Sequence, residues 1–259
     1  MVSCAKVLMS VGCLGAVMGW AIAQPAQAAP PSTAPAELVS TLEAIETAAN
    51  EQNLEQLMAL YSPGFVGPDG FTREQYQATL SEFWEQYIDL VYEVELLSWE
   101  NEGTAFVAET LTTVEGTRLV AGRAMQLTAE LRSQQRYENG QLVSQAILSE
   151  QNQLTAGVTP PDVTIQLADT VAPSSRFTYD AIVGAPLGNR LLLGLAFDEG
   201  VTSEDFLTPR PVDLEALTAG GLFKVGTAPE KSDQRWISAV IVREDGIVID
   251  TRRLNVQAN

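Results

Sequence analysis

The spacing of apolar residues predicts helices near the start of the folded part of the chain. Apolar side chains recur three or four positions apart from Leu38 to Ala49, and again from Leu54 to Tyr61. This spacing puts them on one face of a helix. Thr72 followed by Gln75 forms a capping-box pattern, which predicts the start of a third helix. We therefore expect three helices before residue 90.

From Leu90 onward the period of the pattern changes from helical to two, which is typical of strands. Four long strands are predicted at roughly residues 90–99, 104–114, 119–137 and 141–154. Short glycine-containing links join them, the second at Glu115-Gly116-Thr117, and links of this kind are typical of hairpins. Helices followed by an antiparallel meander predict an α+β domain in which the helices pack on a curved sheet.

This order of elements resembles a known superfamily over residues 36–157. The resemblance is carried by the segment from Leu54 to Pro63, the start of the third helix from Gly70 to Glu74, and the closing strands up to Gly157. These features are similar to the nuclear transport factor 2-like superfamily, whose members include SnoaL-like polyketide cyclases and ketosteroid isomerases. The resemblance implies a cone-shaped sheet around a pocket, which is catalytic in some members and only binds a ligand or supports assembly in others.

The second half reads as short strands separated by turns. Six strands are predicted at residues 163–167, 177–183, 190–197, 222–226, 236–243 and 247–254, with Asp245-Gly246 joining the last two. This pattern favours an all-β sandwich of immunoglobulin-like type. The strand pattern of the first half stops at Gly157 and Pro160-Pro161 follows, so we place the domain boundary there, between residues 37–157 and 158–259.

The first 28 residues are interpreted as a signal peptide. An apolar stretch runs from Val7 to Ala23, and Ala26-Gln27-Ala28 is a small-x-small cleavage pattern. Residues 29–36 then form a linker rich in proline and alanine. The alternative is an uncleaved membrane anchor at the lower length limit for spanning a bilayer. We expect export without a stable membrane anchor, to a bacterial periplasm, to the lumen of an internal membrane, or out of the cell.

Charge and composition exclude several classes of function. The net charge is −18 and histidine is absent. Such a negative surface disfavours nucleic-acid binding. Without histidine there is no Ser-His or Cys-His pair and no ordinary zinc site, and no cofactor motif is found, so we expect no metal and no cofactor. Both cysteines, Cys4 and Cys13, precede the cleavage site, so we expect no disulfide.

One charged pair is a candidate site in the strands. Arg123 has the same parity as the apolar face of the third strand, and Glu109 shares a face with apolar residues of the second. A turn at residues 115–117 would set Glu109 directly opposite Arg123, both pointing into the cone. The pair then either holds an anionic ligand with Glu109 as acid or base, or forms a buried salt bridge that only fixes register.

Aromatic residues of the helical segment are the second candidate. They either line a ligand pocket or form plain core. The set comprises Tyr61, Phe65, Tyr76, Phe83, Trp84 and Tyr87. The other face of the third strand alternates polar and charged residues, which suits either solvent exposure or, by the resemblance, a homodimer surface.

Two functions remain open from the sequence. The favoured one is an exported, non-catalytic protein that binds a small molecule or a protein partner through the cone, with the second domain making protein contacts. The alternative is an isomerase-like or hydrolase-like enzyme in which the Glu109 carboxylate acts with support from Arg123.

Overall fold

A computed structural model describes residues 28–120, 122–184, 191–201, 213–217 and 220–258 of the chain. The predicted signal peptide lies outside these residues except for Ala28, and so do both cysteines. Ala29 makes an antiparallel bridge to Trp99, donating to its carbonyl at 2.8 Å and accepting from its amide at 3.1 Å. The predicted linker therefore starts against the sheet. Among the described residues, no helix is both long enough and apolar enough to cross a membrane.

Three helices form where the apolar spacing predicts them. They are α1 (Ala36–Asn50), α2 (Leu54–Ala59) and α3 (Arg73–Gln86). The Asn53 side chain accepts the Gln56 amide and caps α2, while Thr72 and Gln75 make the reciprocal capping box of α3. These caps satisfy amides that the first helical turn leaves without intrahelical partners. Local sequence therefore sets where α2 and α3 begin.

Thirteen strands are described, and most pair antiparallel. In the first half they are β1 (Tyr61–Val66), β2 (Val91–Glu102), β3 (Ala105–Val120), β4 (Arg123–Glu138) and β5 (Gln141–Gly157). In the second half they are β6 (Val163–Gln166), β7 (Thr170–Val171), β8 (Arg176–Val183), β9 (Leu192–Gly200), β10 (Glu215–Ala216), β11 (Gly221–Thr227), β12 (Asp233–Arg243) and β13 (Gly246–Val256).

The strands form one large sheet and one small one. The large sheet has ten strands, eight of them in the order β10-β9-β12-β13-β5-β4-β3-β2, with β1 beside β5 and β7 beside β13. The small sheet has the order β11-β8-β6. β13 pairs with β5 from Gly246 opposite Gly157 to Arg252 opposite Gln151. The sheet is therefore continuous across residue 157, where the sequence pattern predicts a domain boundary.

Two apolar cores lie on opposite faces of the large sheet. The helices and strands β1 to β5 build the first core, which includes Leu127 and Leu142, and we call the face turned to it the inner face. The second core lies between the small sheet and β9, β12 and β13, and includes Ile241 and Val248. Neighbouring strand residues point to opposite faces, so Val248 faces the second core and Ile249 faces the opposite side of the sheet.

The second half shares the large sheet with the first half. Its strands β9, β12 and β13 belong to that sheet, and the small sheet packs on them. An immunoglobulin-like topology is therefore not shown by this arrangement. The structure shows two halves made mostly of antiparallel sheet, and all the helices in the described ranges belong to the first half.

Candidate functional site

Aromatic side chains fill the space between the helices and the inner face of the sheet. Tyr61, Phe65, Trp84 and Tyr87 are buried. Tyr76 and Phe83 are partly buried and pack against the same core, so all six sequence candidates come together. The rings touch one another: the Tyr61 centroid lies 4.8 Å from that of Phe65 and 5.4 Å from that of Tyr76. Edge and stacked contacts at these distances are those of packed core.

Two further tyrosines, which the sequence analysis did not single out, complete this core. The Trp84 indole donates to the Tyr92 hydroxyl at 2.9 Å, and the Tyr137 hydroxyl donates to the Gln135 side chain at 2.6 Å. Burial raises the pKa of Tyr92 and of Tyr137 well above the ordinary value. These hydroxyls therefore stay neutral at physiological pH and are not available as bases. The alternation of residues along β2 and β4 could have placed both tyrosines in the core, because each lies on the strand face that is turned to it.

The expected pairing of Glu109 with Arg123 is wrong. β3 continues to Val120 before the chain turns, so Val120 is opposite Arg123 and Glu109 is opposite Gln134. The face predicted for β3 is also wrong: residues opposite one another share a face, and Glu109 has the parity of the outer face. Arg123 has the inner-face parity but is exposed at the end of the sheet. Glu109 instead forms an ion pair with Arg132 at 2.5 Å.

The structure has a cleft of about 300 Å³ on the outer face of the large sheet, which we call the outer cleft. Its floor is formed by β2 to β5 and β13, and the chain from β6 to β7 runs along one side. Its apolar lining comes from Leu97, Leu111, Ile165 and Leu167. Charged residues also line it, namely Glu130, Arg132, Glu150, Asp169, Arg252 and Arg253. The cleft therefore combines residues from both halves of the chain.

Two of the three arginines that line the outer cleft, Arg132 and Arg252, are held by carboxylates near its surface. Arg132 pairs with Glu109, and Arg252 donates to both carboxylate oxygens of Asp250, at 2.6 and 3.0 Å. Asp250 is almost fully buried and also accepts from Gln153 at 3.2 Å. Glu130 and Asp169 have no ion pair within the described part of the chain. The uncompensated charge of the cleft is therefore negative.

Beneath the cleft, three buried charges join the two halves, and we call them the buried lock. Arg253 on β13 donates to both oxygens of Asp69, at 2.8 and 3.0 Å, and to Glu150 on β5 at 2.9 Å. The Trp236 indole and the Asn152 amide also donate to Glu150. Burial disfavours the charged guanidinium, but Glu150 and Asp69 outweigh it and raise the pKa of Arg253. The lock connects β13 to β5 and to the turn before α3.

Metal binding has no support in the described residues. No group of three or more acidic side chains there is placed to hold a metal ion.

Comparison with known families and curated proteins gives little functional information. Residues 158–257 match DUF8623, a domain of unknown function. No curated protein matches the chain.

Solved structures resemble part of the chain. A SnoaL-like polyketide cyclase from Shewanella putrefaciens is 11% identical, with a TM-score of 0.35 over 44% of this chain and 89% of its own. A ketosteroid-isomerase-like protein from Catenulispora acidiphila, in complex with trimethylamine, is 15% identical, with a TM-score of 0.33 over 44% and 85%. Bd1075 of Bdellovibrio bacteriovorus is 12% identical, with a TM-score of 0.32, and only 38% of its chain is covered. At such scores, geometry must carry the functional argument.

Proposed function

We propose that this protein is an exported, non-catalytic binding protein that receives its ligand in the outer cleft. The single observation that carries this proposal is the contrast between the two candidate sites. The cone interior is occupied by the protein's own rings, whereas the outer cleft offers about 300 Å³ with apolar and charged walls. Ligand sites are typically concave, mostly apolar, and supplied with a few oriented polar groups.

The chemistry of the cleft favours a cationic ligand with an apolar part. All three arginines of the lining are engaged by carboxylates, so they are poorly available to an anion. Glu130 and Asp169 supply negative charge without an ion-pair partner among the residues that the structure describes, and the four apolar lining residues suit an alkyl chain. An alkylammonium ion or a lysine side chain in an extended peptide combines these two properties. Partly enclosed charge pairs of this kind fix the orientation of a ligand.

A binding titration tests this proposal. Hexylammonium and a blocked Leu-Lys-Leu peptide serve as probes, with calorimetry as the readout. Glu130→Gln and Asp169→Asn should each weaken binding by about tenfold, the loss expected for one charge-assisted contact. Glu74→Gln on α3 changes the net charge equally at an exposed position and is the matched control.

Two results would reject the cleft as the site. One is the absence of binding for both probes to the wild-type protein. The other is an equal loss in the Glu74→Gln control, which would indicate only general electrostatic attraction by an acidic protein.

Export has its own test. If the chain is cleaved after Ala28, protein recovered from the envelope of a bacterial host should have the intact mass of residues 29–259. Ala29 would then be the first residue, already hydrogen bonded to Trp99. An intact mass that still includes the leader would contradict cleavage and favour an anchor.

The enzymatic alternative has no geometric support in the form that the sequence predicts, a site made of Glu109 and Arg123. It needs Glu109 and Arg123 to act together, but they lie on opposite faces, and Gln134, the residue opposite Glu109, is eleven residues along β4 from Arg123. Glu109 is held by Arg132, which limits its availability as a base.

A further inference from the structure

An exposed apolar group lies at the end of the large sheet, away from the outer cleft. Ile88, Val91, Leu119 and Val120 are 71%, 52%, 62% and 42% exposed, respectively. The Ile88 amide donates to the Thr117 carbonyl at 3.0 Å, which fixes the start of β2 beside the end of β3. We call these four residues, with Arg118 and Arg123, the hairpin tip. Large apolar side chains grouped on a soluble surface mark an interaction site.

The charge at the hairpin tip differs from that of the surrounding domain. Residues 37–157 contain nineteen acidic and only five basic side chains, and two of these five are Arg118 and Arg123. Arg123 is exposed, and no ion pair holds it within the described residues. Two acids lie nearby: Glu115 is opposite Val91, and the Asp89 carboxylate accepts from the Thr117 amide and hydroxyl. The tip therefore carries two arginines beside two acids, so it is apolar and close to neutral on an otherwise acidic domain.

We propose that the hairpin tip docks reversibly on a lipid bilayer, with its apolar side chains in the interfacial region and Arg123 at the phosphates. Arginine can keep its head among headgroups while its stem lies along apolar side chains. The apolar group is small, whereas a stable protein interface takes about 20 to 30 residues from each partner. Shallow insertion beside anionic headgroups needs only a few apolar residues with adjacent basic charge.

The acidity of the rest of the protein orients this contact. Repulsion from an anionic surface acts over roughly one Debye length, about 8 Å at physiological salt. A projecting feature that lacks this net negative charge can approach more closely, and the β3–β4 hairpin projects because its ladder runs to Arg123 whereas β5 pairs with β4 only as far as Gln126. Docking is therefore expected to be weak and tip-first.

The experiment uses a fluorescent reporter on a cysteine-free background. Cys4 and Cys13 are the only cysteines of the chain, so replacing both with serine leaves it free of thiols. Ala124→Cys is then labelled with an environment-sensitive dye. Ala124 is exposed and opposite Leu119, so the label sits at the tip while every apolar tip residue is kept. Val66→Cys is the control, because Val66 is 59% exposed near the far end of the sheet.

The probe is vesicles of equal parts phosphatidylcholine and phosphatidylglycerol. We expect the Ala124→Cys label to shift to the blue and to be quenched by brominated acyl chains, while the Val66→Cys label does neither. Each label reports how deeply its own site enters the bilayer. The comparison between the two sites therefore holds even if the leader remains attached and anchors the chain. Equal responses at both sites, or none at Ala124→Cys, would overturn the proposal.

Two substitutions in the labelled protein resolve the contributions. Leu119→Ser should weaken vesicle binding by about tenfold, as expected for withdrawing an exposed leucine from the interface. Arg123→Gln should weaken it by about fivefold on anionic vesicles, and little on pure phosphatidylcholine. Arg136→Gln, at the opposite end of β4, is the matched control for charge. A label shift that depends on protein concentration without lipid would instead identify a second copy as the partner and overturn the proposal.

Discussion

Replacing Arg253 with methionine should destabilise the protein strongly, because it leaves two buried carboxylates without their cation. In the structure the side chains of Arg253, Asp69 and Glu150 are 3%, 7% and 4% exposed. Arg253→Met keeps much of the side-chain volume but removes both hydrogen bonds to Asp69 and the contact with Glu150. Glu150 keeps hydrogen bonds from Trp236 and Asn152, so Asp69 is the carboxylate that the loss of Arg253 affects more.

The expected loss follows from breaking a buried ion pair. Removing one partner of such a pair typically costs about 3 to 5 kcal/mol, mainly because the remaining charge is buried without compensation. For a protein of this size that loss corresponds to a melting temperature lower by roughly 10 °C. Urea unfolding followed by far-UV circular dichroism gives the free energy of unfolding directly.

A matched control and a rescue variant make this reasoning refutable. Arg136 also bridges two carboxylates, Glu102 and Glu138, but on the surface, so Arg136→Met should cost about 1 kcal/mol or less. Adding Asp69→Asn to Arg253→Met should recover part of the loss, since the uncompensated charge is then removed. If Arg253→Met costs no more than Arg136→Met, or if Asp69→Asn gives no recovery, the buried lock does not stabilise the fold as argued.

Three further predictions concern ionisation, the misassigned carboxylate and a strained turn. The pKa of every one of the six tyrosines is raised, chiefly by burial, so the folded state should show no tyrosinate absorbance at pH 10. The contribution of the tyrosines to the free energy of unfolding should be fully present below pH 10 and should fall as pH rises above it. Tyrosinate absorbance at pH 10 before unfolding would contradict this. Glu109→Gln should lower the free energy of unfolding by about 1 kcal/mol or less, because its partner Arg132 is half-exposed, and a larger loss in urea would show that the pair is structural. Gly157→Ala should cost at least about 1 kcal/mol, because Gly157 has a φ of +107° and an added Cβ would lie 2.4 Å from the Asp245 carbonyl oxygen; unchanged thermal unfolding would refute that strain.

Elements set by local chemistry could be predicted from the sequence. The caps at Asn53 and Thr72 involve residues three positions apart, so their partners are visible in the sequence itself. Six of the eight strands described in the second half were also predicted to within a few residues, as for β8 and β12, because alternation is a local signal. In both cases neither a distant residue nor a precise register was needed. The two-residue strands β7 and β10 were not predicted.

The register of β3 and β4 could not be predicted, and Gly116 shows why. In the sequence it suggests a turn, but in the structure it lies within β3. A Cβ there would meet the Leu90 side chain at 2.8 Å, so the glycine allows close packing against the segment before β2. A glycine needed for a turn and one needed for close approach look the same in a sequence. The predicted partner of Glu109 depends on whether Gly116 is placed in a turn or within β3.

The buried lock and the outer cleft depend on contacts between distant parts of the chain. Arg253 is 184 residues from Asp69 and 103 from Glu150, and no local pattern links them. The cleft exists only because the chain from β6 to β7 runs along the floor that the first half provides. The sequence pattern also predicts two separate domains, and so gives no sign of a site to which both halves contribute.

The change of covered face along the large sheet accounts for the buried polar groups of β5 and β13. At the β2 end the helices cover the inner face, and at the β9 end the small sheet covers the outer face. Strands β5 and β13 lie where these coverings meet, so side chains of both parities are enclosed there. Polar residues at alternate positions, which an ordinary half-exposed strand would present to water, must then find partners inside the protein. Glu150, Asp250, Arg253 and Asn255 all lie on these two strands and are buried. The buried lock and the Asp250–Arg252 pair thus satisfy the polar groups that become enclosed where the two cores meet.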